Sequence, residues 1–162
     1  MQPTLAGFLT FITTVMGIDA EVLPPTEPVI AMAFAIALSV VNRALQCIGV
    51  PSTDAAGATL NSGGWTIYAV AVYNLAGDNL LNFAQDQPGQ TYFGDLRKQL
   101  NLDGFVSGVI QSSSDESTSN SMVVQEAAKA FTLANLQNLK TIYGRRYLAL
   151  AQSAGPTTGG MN

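Results

Sequence analysis

Few side chains in this 162-residue sequence could do chemistry, and their types and spacing limit what it would be. There is no histidine and one cysteine, Cys47. Without histidine, the commonest acid–base group and the commonest metal ligand are both missing. Ser112, Ser113 and Ser114 therefore have no triad partner, and no serine–lysine pairing stands out. Asp115-x-Ser117-x-Ser119 offers a carboxylate and two hydroxyls, hard oxygen ligands at the spacing of the first ligand run of a Mg²⁺-dependent adhesion site. Such a site needs a parallel α/β sheet and ligands from further loops, and this chain reads as helical, so no metal is expected. A solvated Ser-rich loop and an arm that folds on a partner are the readings that remain. Cys47 can make no internal disulfide and reads as a small buried hydrophobe. The glycine-rich runs at 57–64 and 155–160 match neither a phosphate loop nor a dinucleotide fingerprint. No catalytic residue, metal or cofactor is expected, and the chain reads as a protein that works by docking, not as an enzyme.

The composition supports docking. Apolar residues make up 48% and charged residues 11%, against a usual charged share of about 25%. A surface so poor in charge is easier to understand if neighbours cover much of it. The net charge is −4 and uneven: residues 1–96 carry seven acids and one base, and residues 97–162 carry four acids and six bases. An acidic chain is a poor phosphate clamp, so no specific nucleic-acid binding is expected. There is no basic N-terminal region of the secretory type. The uncharged stretch 28–42 is shorter than the roughly 20 residues that span a bilayer, and no membrane insertion is expected.

The elements that would position these residues are mainly α. Leu5, Phe8, Leu9, Ile12, Val15 and Met16 predict a helix over residues 3–16, stopped at Gly17. A second helix is expected over 26–48, with Thr26 as its N-cap; it is apolar all round and so expected to be the buried central element. A loop follows at 50–64. A third helix is expected over 65–85, with Ala69, Ala71, Ala76 and Gly77 permitting close contact. A short helix over 91–101 carries Tyr92, Phe93, Leu96 and Leu100. Residues 105–110 and 122–124 are β-prone and flank a polar tip, which predicts a hairpin or extended arm at 105–124. One last long helix is expected over 135–153, with Leu136, Leu139, Tyr143, Tyr147 and Leu150 on its apolar stripe and Asn138, Thr141, Arg145 and Gln152 opposite. The whole reads as a single domain, 1–155: a bundle of four to five helices with one β-hairpin-like arm, followed by a flexible tail at 156–162.

Two sets of contact residues follow. Arg145 and Arg146 beside Tyr143 and Tyr147 are the residue types that anchor interfaces. With Gln152 and the tail residues Pro156, Met161 and Asn162, they form the candidate interface to a partner or a neighbouring subunit. In the arm, Gln111, Asp115, Glu116, Ser119 and Asn120 are the candidate contacts.

The helix beginning Ile67-Tyr-Ala-Val-Ala-Val-Tyr, the element Tyr92-Phe-Gly-Asp-Leu-Arg, the run Gly108-Val-Ile-Gln-Ser-Ser-Ser-Asp and the element Tyr143-Gly-Arg-Arg-Tyr-Leu carry a likeness. Over roughly residues 65–155 the chain resembles the head–tail adaptor (connector, or head-completion) proteins of tailed bacteriophages. That resemblance implies a structural virion protein in the neck between capsid and tail, made in the host cytoplasm. It implies a homo-oligomeric ring, commonly a dodecamer, that binds the portal protein above and a tail or tail-terminator protein below. Genome DNA would pass through its channel during ejection. By position, residues 147–162 would face the portal and residues 106–124 would be the arm toward channel or tail. Two other classes stay open: a small membrane-active, holin-like protein, and a soluble helical binding module.

Overall fold

The computed structural model describes residues 2–47, 66–102, 104, 112–115, 118–121 and 133–153. The architecture is mainly α: α1 (Leu5–Thr14), α2 (Pro28–Val40), a 3-10 turn (Arg43–Cys47), α3 (Ile67–Phe83), α4 (Tyr92–Gln99), α5 (Leu133–Asn138) and α6 (Ile142–Ser153). Between α4 and α5, β1 (Ser112–Asp115) pairs antiparallel with β2 (Thr118–Ser121). These strands lie inside the polar stretch expected to be a hairpin tip. The β-prone runs 105–110 and 122–124, the loop 50–64 and the tail 156–162 lie outside the described residues.

Helix α1 begins where Thr4 Oγ1 accepts the Gly7 N–H at 3.1 Å, an N-cap bond that satisfies one orphan donor. It buries Phe8, Phe11 and Ile12, while Leu5 and Val15 stay exposed. The Thr10, Thr13 and Thr14 hydroxyls bond back to carbonyls of the preceding turn on the exposed face. Phe8 lies against Phe11, Phe34 and Tyr73, and Phe11 meets Tyr143 edge-on. This aromatic cluster joins α1, α2, α3 and α6. The Tyr73 hydroxyl accepts the Thr4 N–H at 3.1 Å, which leaves no room for a side chain at Gly7.

The expected helix over 26–48 is corrected in two ways. Glu27, not Thr26, holds the N-cap position, with Pro28 opening the helix, and the helix stops at Val40. Val41 is extended, and Asn42 Oδ1 accepts the Ala44 N–H at 2.8 Å. That local bond offers the backbone an alternative to the helix just after a β-branched pair. Nor is α2 the central element. It buries Ile30, Ala33 and Ala37 against α3 and leaves Met32, Ile36, Leu38 and Val40 exposed.

The central element is α3, capped by Thr66 Oγ1 on the Ala69 N–H. Twelve of its 17 residues are buried, and both α2 and α6 pack along it. Ala69, Ala71, Ala76 and Gly77 are among those twelve, so neighbouring backbones approach closely, as expected. The Arg97 guanidinium donates to the carbonyls of Leu81 and Ala84, closing the C-terminus of α3. The Asp86 carboxylate accepts the N–H groups of Phe93 and Gly94 and so caps α4 from the preceding turn. Phe93 is buried, with Leu96 and Leu100 packed against the core.

The expected single helix over 135–153 is also corrected: it breaks between Asn138 and Ile142. Thr141 Oγ1 accepts the Gly144 N–H at 2.8 Å and starts a new helix. Lys140 Nζ donates to the carbonyls of Asn101, Leu102 and Gly104, which draws the chain toward the end of α4. Leu139 therefore leaves the apolar stripe and is exposed, and Thr141, expected on the polar face, is fully buried. Tyr143, Tyr147 and Leu150 keep their place against the core.

The break depends on Gly144, where an added Cβ would lie 2.1 Å from the Asn138 carbonyl oxygen. Helix propensity alone makes Gly144→Ala stabilising by about 1 kcal/mol. The backbone clash reverses the sign, and a loss of about 2 kcal/mol is expected. Urea unfolding of the two proteins measures it.

Candidate functional site

The surface around the start of α6 is built by four elements. Met16, following α1, Leu81 of α3, Leu96 of α4, and Ile142 and Tyr143 of α6 line an apolar pocket of about 250 Å³, with Arg145 at its edge. Ile142 is 47% exposed although it is large and apolar, and Tyr92 and Leu139 are also exposed. The pocket exists because the chain breaks before Ile142. A continuous helix would have carried this residue elsewhere.

Of the residues expected at this interface, Tyr143 and Tyr147 are half-buried against the chain's own core. Burial raises both phenols above their ordinary value of 10.0; at Tyr143 the charge of Arg146 works against that rise. Both rings stay neutral at physiological pH. Arg145 is exposed and donates one bond to the Leu139 carbonyl at 3.1 Å, which holds it beside the pocket. Arg146 and Gln152 are exposed on the same helix. Pro156, Met161 and Asn162 lie outside the described residues. In the ladder, Asp115 stands opposite Thr118, Ser119 opposite Ser114, and Asn120 opposite Ser113. Gln111, Glu116 and Ser117 lie outside the described residues, so the Asp115-x-Ser117-x-Ser119 run is described only at its ends.

A second surface is the outer side of α2. At 3.6 residues per turn, Met32, Ile36 and Val40 form a slanting ridge beside the buried face of Ile30, Ala33 and Ala37. Met32 is 46% exposed and Val40 59%. No charged residue interrupts the sequence from 28 to 42. Among the described residues, no helix is long and apolar enough to cross a membrane.

Between α3, α5 and α6 lies a polar network that the sequence reading missed. Asp78, 1% exposed in the middle of α3, accepts a bond from the Thr141 hydroxyl on Oδ1. Its Oδ2 faces Asn82 Nδ2 at 3.5 Å, and Gln137 Nε2 donates to Asn82 Oδ1 at 3.3 Å. The network ties α3 to α5 and to the first turn of α6. It borders a polar cleft of about 430 Å³. Its sequence signal was one carboxylate among three asparagines, Asn74, Asn79 and Asn82, in a helix with no other charge.

Burial pushes the Asp78 carboxyl up from 3.8 to about 6, against the opposing pull of the Thr141 bond. Between those values the folded protein keeps a proton that the unfolded chain has released. The stability that Asp78 contributes is therefore fully present below about pH 4, is lost as pH rises through about 6, and is level above that, a loss of about 3 kcal/mol in all. In Asp78→Asn the amide oxygen can still accept from Thr141 and carries no charge. Urea midpoints at about pH 4.5 and about pH 8 should differ less for Asp78→Asn than for the parent, with the variant the more stable at the higher pH.

The chain matches no family model, no curated protein and no solved structure.

Proposed function

We propose that this chain is a structural adaptor subunit of a tailed-phage neck, forming a ring that joins the portal to the tail and lets genome DNA pass. The observation that carries the reading is the bare outer ridge of α2. Met32, Ile36 and Val40 are exposed on a helix without charge, in a chain where charged residues are only 11%. Such a contiguous apolar surface marks an interaction site. In a ring, each subunit would cover its neighbour's ridge.

In this reading the helices form a bundle around α3, residues 105–124 form a β-hairpin arm toward the channel or the tail, and residues 156–162 form a tail that meets the portal. The acidic excess of residues 1–96 fits a wall along which DNA slides without being gripped. The interface residues on α6 would face the portal or the next copy. The work is assembly, with no catalytic step and no cofactor.

The test is light-scattering mass across gel filtration, in detergent-free buffer, with and without a purified portal ring. Co-elution at a mass that needs many 17.0 kDa chains per portal is the expected result. A chain that elutes apart from the portal would overturn the proposal, and one that stays in solution only with detergent would favour the membrane-active class.

A further inference from the structure

The polar cleft beside Asp78 holds a charge for which the chain supplies no counter-ion. Asp78, Asn79, Asn82 and Phe83 of α3 and Gln137 and Asn138 of α5 line about 430 Å³. A space of that size takes a small ligand or one long side chain. Asp78 is almost wholly buried, so water does little for its charge. Its partners are all neutral: the Thr141 hydroxyl bonds Oδ1, and Asn82 Nδ2 lies 3.5 Å from Oδ2, at the limit of bonding distance. From this geometry we infer that the cleft binds an alkylammonium group, with Asp78 as its counter-ion. The inference stands apart from the adaptor reading.

Among the described residues, no cation of the chain serves Asp78. Lys140 Nζ is held by the carbonyls of Asn101, Leu102 and Gly104, and Arg97 by those of Leu81 and Ala84. Lys98 pairs with Asp95, and Arg145 bonds the Leu139 carbonyl. Arg43 and Arg146 are exposed. Helices α1 and α2 carry no titratable side chain, and Tyr143 and Tyr147, which α6 packs against the core, are neutral phenols. A buried carboxylate left without a counter-ion is costly, and a cation with hydrogen bonds recovers that cost.

The walls supply the rest of what an ammonium group needs. Such a group has three donors and no acceptor. Gln137 donates to Asn82 through Nε2, which leaves its Oε1 to accept, and among the described residues no bond engages the Asn138 amide. Phe83 is 42% exposed on the cleft wall, where its ring meets a cation or an aliphatic stem favourably. Asn79 Nδ2 is shielded from water without a partner, and a ligand carbonyl would satisfy it. An ammonium group with a carbonyl on its stem is the chemistry of a lysine residue on a partner protein.

The test is an NMR titration of the full chain that follows the side-chain amide signals of Asn79, Asn82, Gln137 and Asn138. The probe is Nα-acetyl-lysine N-methylamide, and the control is its norleucine analogue, which keeps the stem and lacks the amine. At about pH 8 and constant ionic strength the lysine probe should bind at about 1 mM and the control at least about tenfold more weakly. Asp78→Asn keeps an acceptor for Thr141 and removes the charge. Asn138→Lys, at a half-exposed position, puts a competing cation in the cleft. Circular dichroism establishes that both are folded like the parent. Each variant should weaken the lysine probe at least about tenfold. Lowering the pH from about 8 to about 5 should weaken it about tenfold in the parent, because a proton then takes the cation's place. Putrescine is the second probe. Tighter binding of putrescine than of the lysine probe would support the same site with a free amine as its ligand, and tighter binding of the lysine probe would support a partner's side chain. Amide signals that neither probe moves up to about 50 mM, a control that binds as well as the lysine probe, or undiminished binding by Asp78→Asn would overturn the inference.

Discussion

A carboxyl in the middle of a helix buried almost all round has to be neutral or well paired, and the frame of this molecule is fitted to that demand at Asp78. The Thr141 hydroxyl reaches it only because the chain stops being helical after Asn138 and restarts at Ile142. The same hydroxyl takes the Gly144 N–H, so one side chain satisfies the buried acid and opens the last helix. Lys140 binds three carbonyls after α4, and Gly144 lets the new helix pass close to Asn138. The surface that the break creates beside Ile142 thus adjoins the residue, Thr141, that joins this polar contact to the start of the last helix.

Helix α2 has its sizes arranged in the opposite sense from an ordinary surface helix. Ala33 and Ala37 face the core beside Ile30, and the large apolar Met32, Ile36, Leu38 and Val40 are exposed. The small inner residues let α2 lie close to α3, which is itself rich in alanine. Close approach yields dispersion contacts along both backbones without large side chains between them. The outer residues gain nothing from this packing. They leave apolar surface in water at a cost of roughly 25 cal/mol for each Å², which only a neighbour can recover. The alternation of large and small residues therefore gives one helix a close-packed face and a bare apolar ridge.

Much of the helical frame was legible in the sequence. Phe8 and Ile12 of the α1 stripe, Phe93 of the α4 stripe and the close-packing alanines of α3 are buried as expected, whereas Leu5, Val15 and Tyr92 of the same stripes are exposed. Buriedness was harder to read. An uninterrupted apolar helix looked like the centre of the domain, and periodicity cannot tell a buried helix from one awaiting a partner. The breaks at Val41 and Leu139 were hidden for a related reason. Neither has a proline or glycine at the point of rupture; each follows from a side chain, Asn42 or Thr141, competing for a backbone N–H. The Asp78 network joins residues more than fifty positions apart, and no local pattern carries such a pairing. For the contact surfaces, the sequence marked Arg145 and Arg146 by type. It could not mark Ile142, whose exposure depends on the break before it.

The central claim is that the outer ridge of α2 is covered when the protein does its work. Met32 reports on this directly, because an exposed thioether oxidises readily and a covered one does not. Hydroxyl-radical footprinting of the free chain and of its portal-bound assembly would compare Met32 in the two states, read by mass spectrometry of the peptide that carries it. The account predicts rapid oxidation in the free chain and at least about tenfold protection in the assembly. An unchanged rate at Met32 in an assembly of established composition would contradict it.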